Sequence, residues 1–405
     1  MDGVRKILYI SYDGLTDPLG QSQILAYLKR LASLNNRIVI VSFEKPGLFE
    51  QGKDAIQKII TEHGLTWIPL PYTKNPPVLS TLADVYKCYN LCRRLHHQYR
   101  FHIVHCRGYI AAIVGQKMQK RFGLKFIFDM RGWWPDEKLE SGFWNKPVYK
   151  PVYRYFKQLE KRFFHACNYA VSLTYKGKET IVGTGLANED KVGVIPTCVD
   201  FEIFKERTDA GTKELRAKLG VKPGEKVFVY SGSLGGNYDP EILIKVFKAY
   251  QNIHAAAYLL ILSKDKIDES LQSRFSDAGI NRIAIYNAPF TEVTNYLRAG
   301  DVGFIYYKMS FSTIGRSPTK MGEYWASGLP VVALKGIGDL DYILDKYPGG
   351  GVLLSEEKKE WEKEIRAMNP NGLAPLRQYA LEYFHVEKGV AFYQNVYEQL
   401  SGRTT

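Results

Sequence analysis

Short runs of β-branched and aromatic residues alternate with amphipathic helical segments along the whole chain, and the alternation is played through twice. The first half carries KILYIS, RIVIVSF, LTWIPL, FHIVHC, LKFIFD and NYAVSL; after a polar, charged stretch near residues 205 to 225 the pattern restarts with KVFVYSG, AYLLIL, RIAIY, DVGFIY, PVVAL and GVLL. Segments between them, such as SQILAYLKRLAS, put Ile24, Leu28 and Leu31 on one helical face with Lys29 and Arg30 off it. Strands that are apolar throughout must be covered on both faces, which implies parallel sheets wound by right-handed crossovers. At 405 residues the chain also exceeds what one core usually serves. The expected fold class is therefore α/β, with two Rossmann-like, doubly wound parallel-sheet domains. Ligands in such sheets bind beyond the carboxyl ends of the strands, so the turns that follow the strands are where function is sought.

Composition narrows the partners. The five cysteines, Cys88, Cys92, Cys106, Cys167 and Cys198, lack the paired spacing of a zinc site or a secreted disulfide framework and read as buried thiols in a reducing compartment. The apolar run of MDGVRKILYISYDG is too short for a signal-peptide core, and no apolar stretch reaches the ~20 residues that cross a bilayer. A cytoplasmic location is expected, with any membrane contact peripheral. The net charge of +13 leaves nucleic acid, anionic lipid and phosphorylated ligands as candidate partners. Dispersed basic residues and the lack of a nucleic-acid motif argue against the first.

The sharpest local signal is RSPTKMGEYWASGLPVVAL. Ser317 suits an N-cap, Pro318 the first helical position, and Gly328 before Leu329 and Pro330 a stop, so a helix of about three turns is expected to feed a buried strand. The free N–H groups of Thr319 and Lys320, the positive end of the helix dipole and the Lys320 ammonium would together suit a diphosphate. Glu323 falls on the same face, where a carboxylate can accept both hydroxyls of a ribose, and Gly322 leaves room for close packing. The plain alternative is a well-capped helix with a solvated Lys320–Glu323 pair. A second glycine cluster, YSGSLGGNYDPE, follows the first strand of the same half, where Rossmann-type folds bind phosphate, although it lacks a strict GxGxxG.

With these residues in view, the chain resembles the GT-B retaining glycosyltransferases of family four nearly end to end. SPTKMGEYWASGLPVVAL is similar to that family's donor-site block, VIPTCVDFEIF to its interdomain turn, DGLTDPLGQSQILAYLKRLA to the first loop of its acceptor domain, and FHVEKGVAFYQNVYEQL to its terminal helix. The resemblance implies two domains facing a central cleft: 1–200 for the acceptor, 201–380 for the nucleotide sugar, and 381–405 crossing back to the N-terminal domain. It implies Glu323 on the ribose and Thr319 and Lys320 on the diphosphate, with Arg316 and Ser317 beside them. Gly232 and Ser233 would flank the diphosphate from the opposite loop, Gly20 would let the first loop approach it, and Asn287 and Ala288 would lie near the base. A UDP- or GDP-sugar would be the substrate, with no cofactor and no metal.

Three departures matter. The earlier of the family's two glutamates is Gly315 here, the arginine and lysine of its glycine-rich loop are Ser233 and Tyr238, and Arg131 stands where a histidine is often found, in FDMRGWWPDE. Asp129, Arg131 and Glu137 are thus the catalytic candidates, Asp129 or Glu137 as proton acceptor unless the departing phosphate takes that role. Arg131 with Asp129 would equally serve as a structural ion pair, and Trp133 and Trp134 as packing or as a stacking platform for a sugar.

The stretch KPVYKPVYRYFKQLEKRFFHACNYAV places Val152, Phe156, Leu159 and Phe163 on one face among Lys150, Arg154, Lys157, Lys161 and Arg162. This pattern fits a helix on an anionic membrane and equally a core helix with a solvated basic side. With CRRLHHQYR and the net charge, it tilts the reading toward a lipid-linked acceptor at the inner face of a plasma membrane; the resemblance implies a glycan or polyprenyl-linked saccharide as acceptor. The expected activity is hexosyl transfer in surface-polysaccharide synthesis. Alternatives are a sugar-nucleotide 2-epimerase of the same architecture and a basic nucleic-acid-binding protein.

Overall fold

The computed structural model describes residues 3–204, 208–235, 238–265, 268–287, 290–368 and 374–402. The chain divides into two units, one of Met1–Cys198 with Val386–Thr405 and one of Val199–His385.

The first unit holds seven parallel strands: β1 (Arg5–Ser11), β2 (Asn36–Glu44), β3 (Thr66–Pro71), β4 (Ile103–Arg107), β5 (Lys125–Asp129), β6 (Tyr169–Ser172) and β7 (Val192–Val194), in the order β3-β2-β1-β4-β5-β6-β7. The alternation in sequence foretells six; β7 escapes it because three residues at a sheet edge make no periodic signal. Ser11 pairs with Arg107, Arg107 with Asp129, and one step further down Tyr9 pairs with His105. Because side chains alternate across a sheet, Ile7, Tyr9 and Ser11 share a face with Ile103, His105, Arg107, Ile127 and Asp129. That face grows polar toward the carboxyl edge, where a Rossmann-type sheet binds its ligand. The C-terminal helix Val386–Leu400 packs there, with Val390, Tyr393, Val396 and Tyr397 in one core with Ile7, Tyr9, Ile103 and Ile127.

The second unit holds six parallel strands: β8 (Lys226–Ser231), β9 (Ala257–Leu262), β10 (Ile283–Tyr286), β11 (Val302–Ile305), β12 (Val331–Leu334) and β13 (Gly351–Leu354), in the order β10-β9-β8-β11-β12-β13. It ends with the helix Leu376–Phe384, and the division from the first unit falls at His385/Val386 rather than after residue 380. The cause is local. Phe384 is buried against Trp325, and its carbonyl accepts a 2.7 Å bond from the Val199 amide, so the whole helix stays with the second unit.

The helix Lys150–Ala166 settles one open alternative. Phe156, Leu159 and Phe163 are buried, Phe163 against Phe128 of β5 at 5.3 Å between ring centroids, so its apolar face is used up in the core. Lys157 turns inward as well, holding Asp136 at 2.9 Å and Glu160 at 2.6 Å.

Candidate functional site

In the second unit the helix Thr319–Ala326 runs between β11 and β12. It begins one residue later than the capping pattern suggests. Pro318 is extended (φ −66°, ψ 113°) and occupies the cap position, with no side-chain cap bond, so Ser317 lies outside the helix. The Met321 amide bonds to the Pro318 carbonyl, whereas the N–H groups of Thr319 and Lys320, at the first two helical positions, have no intrahelical acceptor. Gly328, at φ +75°, ends the helix as expected, and the Leu329 amide bonds back to the Tyr324 carbonyl at 2.8 Å.

The helix is held rigidly. The Tyr324 hydroxyl accepts from the Ser231 amide at 3.0 Å, Trp325 donates to the Gly350 carbonyl at 2.8 Å, and Arg377 donates to the Ala326 carbonyl at 2.8 Å. Gly322 is required by close packing, since a Cβ there would lie 2.6 Å from Val199 and 3.1 Å from Phe384.

Lys320 Nζ is enclosed and has no hydrogen-bond partner among the described residues. It lies instead over the rings of Tyr238 at 4.4 Å, Tyr230 at 4.7 Å and Tyr307 at 5.9 Å. A cation held by ring faces keeps its N–H groups for a ligand, and three such faces offset part of the cost of burying it. Tyr238 stands where the resemblance places a cation in the glycine-rich loop, and here its ring faces Lys320 instead. Gly232, at φ +144°, makes room for this arrangement, because a Cβ there would lie 2.4 Å from Lys320 Nζ. Ser233 is exposed and accepts at its carbonyl from the Tyr230 hydroxyl at 2.5 Å.

Glu323 is 9% exposed. Burial pushes its carboxyl up to about 7, with the Lys320 ammonium pulling the other way, and burial also lowers the Lys320 amine from its ordinary value. Arg316 stacks on Tyr307 at 4.7 Å. Asn287 is exposed just past β10, and Ala288 lies outside the described residues.

The first unit gathers a second polar set at the carboxyl ends of β1, β4 and β5. Asp129 is 1% exposed, accepts from the Tyr393 hydroxyl at 3.0 Å, and has Arg131 Nη1 at 3.9 Å. Arg131 has φ +56°, a left-handed backbone that costs a non-glycine residue energy and recurs at functional positions. Its guanidinium donates to Gln23 Oε1 at 3.3 Å, and Gln23 in turn donates to the Cys198 carbonyl at 2.9 Å. Burial alone would raise the Asp129 carboxyl, but Arg131, His105 and Arg107 together hold it below its usual range.

The remaining expectations for this half divide. Asp136 is a structural anchor, accepting from Tyr153 and Lys157, and Glu137 lies in the first turn of the helix Trp134–Glu140, its amide bonded to the Trp133 carbonyl at 2.9 Å. Trp133 is 2% exposed beneath Lys157, and Trp134 joins Trp144 and Phe156 in an aromatic cluster, so both tryptophans pack. Gly20 has a local reason to be glycine, since a Cβ there would sit 1.9 Å from the Gly14 carbonyl oxygen.

Glu44, His105, Arg107 and Tyr393 are the residues that motif reading misses. Glu44, at the end of β2, accepts from the amides of Leu15 and Thr16 and the hydroxyls of Thr16 and Ser42, at 2.5 to 3.1 Å, and so fixes the loop after β1. The available signal is a charged or ring-polar residue inside an otherwise apolar strand, as in FHIVHCR and IVIVSFE.

Two wound parallel sheets in two units, with the chain returning to the first unit at Val386, are the GT-B fold. The model of Glycosyltransferase Family 4 matches residues 20–203, so that part of the chain is similar to that family. The chain is 22% identical over 278 residues to a D-inositol 3-phosphate glycosyltransferase of Arthrobacter sp. (strain FB24), covering 66% of this chain and 62% of that protein. It therefore spans less than two thirds of that relative. Among solved structures it is similar to Anabaena Alr3699/HepE in complex with UDP and glucose (TM-score 0.69, 16% identity, 98% of this chain and 99% of that one). It is likewise similar to sucrose-phosphate synthase of Thermosynechococcus elongatus (TM-score 0.68, 14% identity, 98% and 99%).

Proposed function

We propose that the chain transfers a hexose-type sugar, with retention, from a nucleoside diphosphate sugar to a hydroxyl of a glycan or lipid-linked saccharide in cell-surface polysaccharide synthesis. The observation that carries this is Lys320, an enclosed ammonium on the first turn of a rigid helix with no hydrogen-bond partner among the described residues, with the Glu323 carboxyl on the same face. The first meets a diphosphate and the second a ribose. As the glycosidic bond breaks, negative charge grows on the leaving diphosphate, and Lys320 with the helix N–H groups stabilises it. A UDP-sugar is the first donor to try, since Alr3699/HepE holds UDP and glucose.

In the first unit Asp129 is a weak base, being buried and held below its ordinary carboxyl range. We assign it to orienting Arg131, and assign the acceptor proton to the departing phosphate. Arg131, with 12% of its side chain exposed, is the group of the pair that meets the ligand.

The test is a thermal-shift screen over UDP-, GDP-, CMP- and dTDP-sugars in EDTA, followed by transfer to saccharide acceptors. One donor should raise the melting temperature, because a ligand of the folded state alone stabilises it, and EDTA should leave transfer intact. A chain that isomerises a UDP-sugar with no acceptor present would be an epimerase instead. No stabilisation by any donor would remove the reading.

The lipid-linked acceptor draws support from the helices Leu79–Tyr99, Gly108–Phe122 and Lys150–Ala166, which pack side by side. Their solvent faces carry Lys87, Arg94, Lys117, Lys120, Lys161 and Arg162, whereas their acids, Asp84 and Glu160, are buried. Among the described residues no helix is long and apolar enough to cross a membrane. A one-signed layer of this kind suits the surface of an anionic bilayer. The chain should sediment with phosphatidylglycerol vesicles, be released by salt, and ignore phosphatidylcholine vesicles; equal behaviour with both lipids would remove the membrane from the proposal.

A further inference from the structure

The helix Val386–Leu400 presents Gly389, Tyr393 and Tyr397 at intervals of four, on one face. Gly389 lets that face approach the unit closely, since a Cβ there would lie 2.5 Å from Tyr27. One turn on, the Tyr393 hydroxyl donates to Asp129 Oδ2 at 3.0 Å; another turn on, Tyr397 bonds His105 Nδ1 at 2.8 Å. His105 Nε2 is 3.8 Å from the same Asp129 Oδ2, too far to bond, and both His105 Nε2 and Asp129 Oδ1 are buried without a hydrogen-bond partner among the described residues. Asp129 thus has His105 facing Oδ2 and Arg131 facing Oδ1, neither within hydrogen-bond distance.

We propose that Tyr393 is a positioning residue for the acceptor half: by occupying Oδ2 it fixes the Asp129 carboxylate so that Oδ1 is kept for Arg131, which makes the C-terminal helix part of the reaction machinery. This rests on the transferase reading of Asp129 and Arg131. Without the Tyr393 hydroxyl, a small rotation of the carboxylate brings it to His105, and Arg131 loses the anion that balances and aims it. The burial of this set makes the bond valuable, because a hydrogen bond to a charged group in a dry site is stronger than one exposed to water.

The experiment is a double-mutant cycle on the full chain, with Tyr393→Phe, Asp129→Asn and the pair, reading kcat, donor KM, nucleoside diphosphate affinity and melting temperature. Phenylalanine keeps the ring between Tyr27 and His105, which preserves the packing. Tyr393→Phe should lower kcat about tenfold or more, with donor KM and diphosphate affinity unchanged and a lower melting temperature from the lost buried bond, the kcat loss persisting per folded molecule. In the Asp129→Asn background the same change should have little further effect, because its route runs through Asp129. Wild-type kcat in Tyr393→Phe, or an equal loss in both backgrounds, would overturn the assignment while leaving the transferase reading intact. A wild-type chain that binds no nucleotide sugar and transfers nothing would overturn both.

Discussion

Glu323→Ala is expected to lower nucleotide-sugar affinity by at least about a hundredfold and to leave the fold intact. A carboxylate accepting two ribose hydroxyls makes two charge-assisted hydrogen bonds, each worth about 1.5–3 kcal/mol, and 1.4 kcal/mol is tenfold in affinity. The fold should survive because Glu323 is not what fastens its helix; Tyr324, Trp325 and Arg377 do that. The carboxyl also predicts opposite pH trends for binding and stability. Its folded-state value near 7 lies above the ordinary 4.5, so the free protein draws stability from this group fully below pH 4.5 and loses it as pH rises through 7. Donor binding needs the carboxylate, so affinity should fall as pH drops through 7. Calorimetric titration of nucleoside diphosphate from pH 6 to 8.5, beside melting curves at the same values, reads both trends. Unchanged affinity in a folded Glu323→Ala protein would take Glu323 out of the site.

The residues proposed for the donor are largely legible in the sequence because they are local. A helix start, a lysine on its first turn and a glutamate one turn later lie within a few residues, so spacing alone puts them on one face. What surrounds Lys320 was not readable. Tyr230, Tyr238 and Tyr307 come from segments that meet only when β8 and β11 lie side by side, and a missing cation in the glycine-rich loop says nothing of an aromatic in its place. Ser317 departs from its expected place for a different reason. A serine before a proline is a good cap by type, but the extended Pro318 takes the cap position itself.

The set proposed for the acceptor half is less legible, since it is assembled from the ends of three strands and one distant helix. Arg131 and Asp129 stood out as neighbours in sequence, whereas His105, Arg107 and Tyr393 reach them only through sheet register and the return of the chain at Val386. Amphipathic pattern could not separate the two readings of Lys150–Ala166 either. A helix that buries Phe156, Leu159 and Phe163 in a core has the same periodicity as one that buries them in lipid, and only the presence of Phe128 against it decides.

Arg131→Lys and Asp129→Asn are each expected to lower kcat by about 10²-fold or more, the usual scale for a positioned electrostatic group, with nucleoside diphosphate affinity barely changed. Lysine keeps the charge at 131 but loses the planar fork that reaches Gln23 and faces Asp129 together. Asparagine keeps the shape at 129 and still accepts from Tyr393, yet gives Arg131 no anion to balance it. Affinity should hold because Lys320 and Glu323, which are proposed to bind the donor, belong to the second unit. The competing account makes Arg131–Asp129 a structural pair. Removing one partner of a buried pair leaves the other charge uncompensated, typically at a cost of about 3–5 kcal/mol, so that account predicts a lower melting temperature and less active protein with kcat per folded molecule preserved. The positive φ at Arg131 weighs against a purely structural pair, since a strained backbone is retained where the side chain's direction matters. Melting temperature, active-site titration with the nucleoside diphosphate and kcat on the same preparations separate the accounts: a destabilised enzyme with normal turnover per binding-competent molecule would return Arg131 and Asp129 to the scaffold.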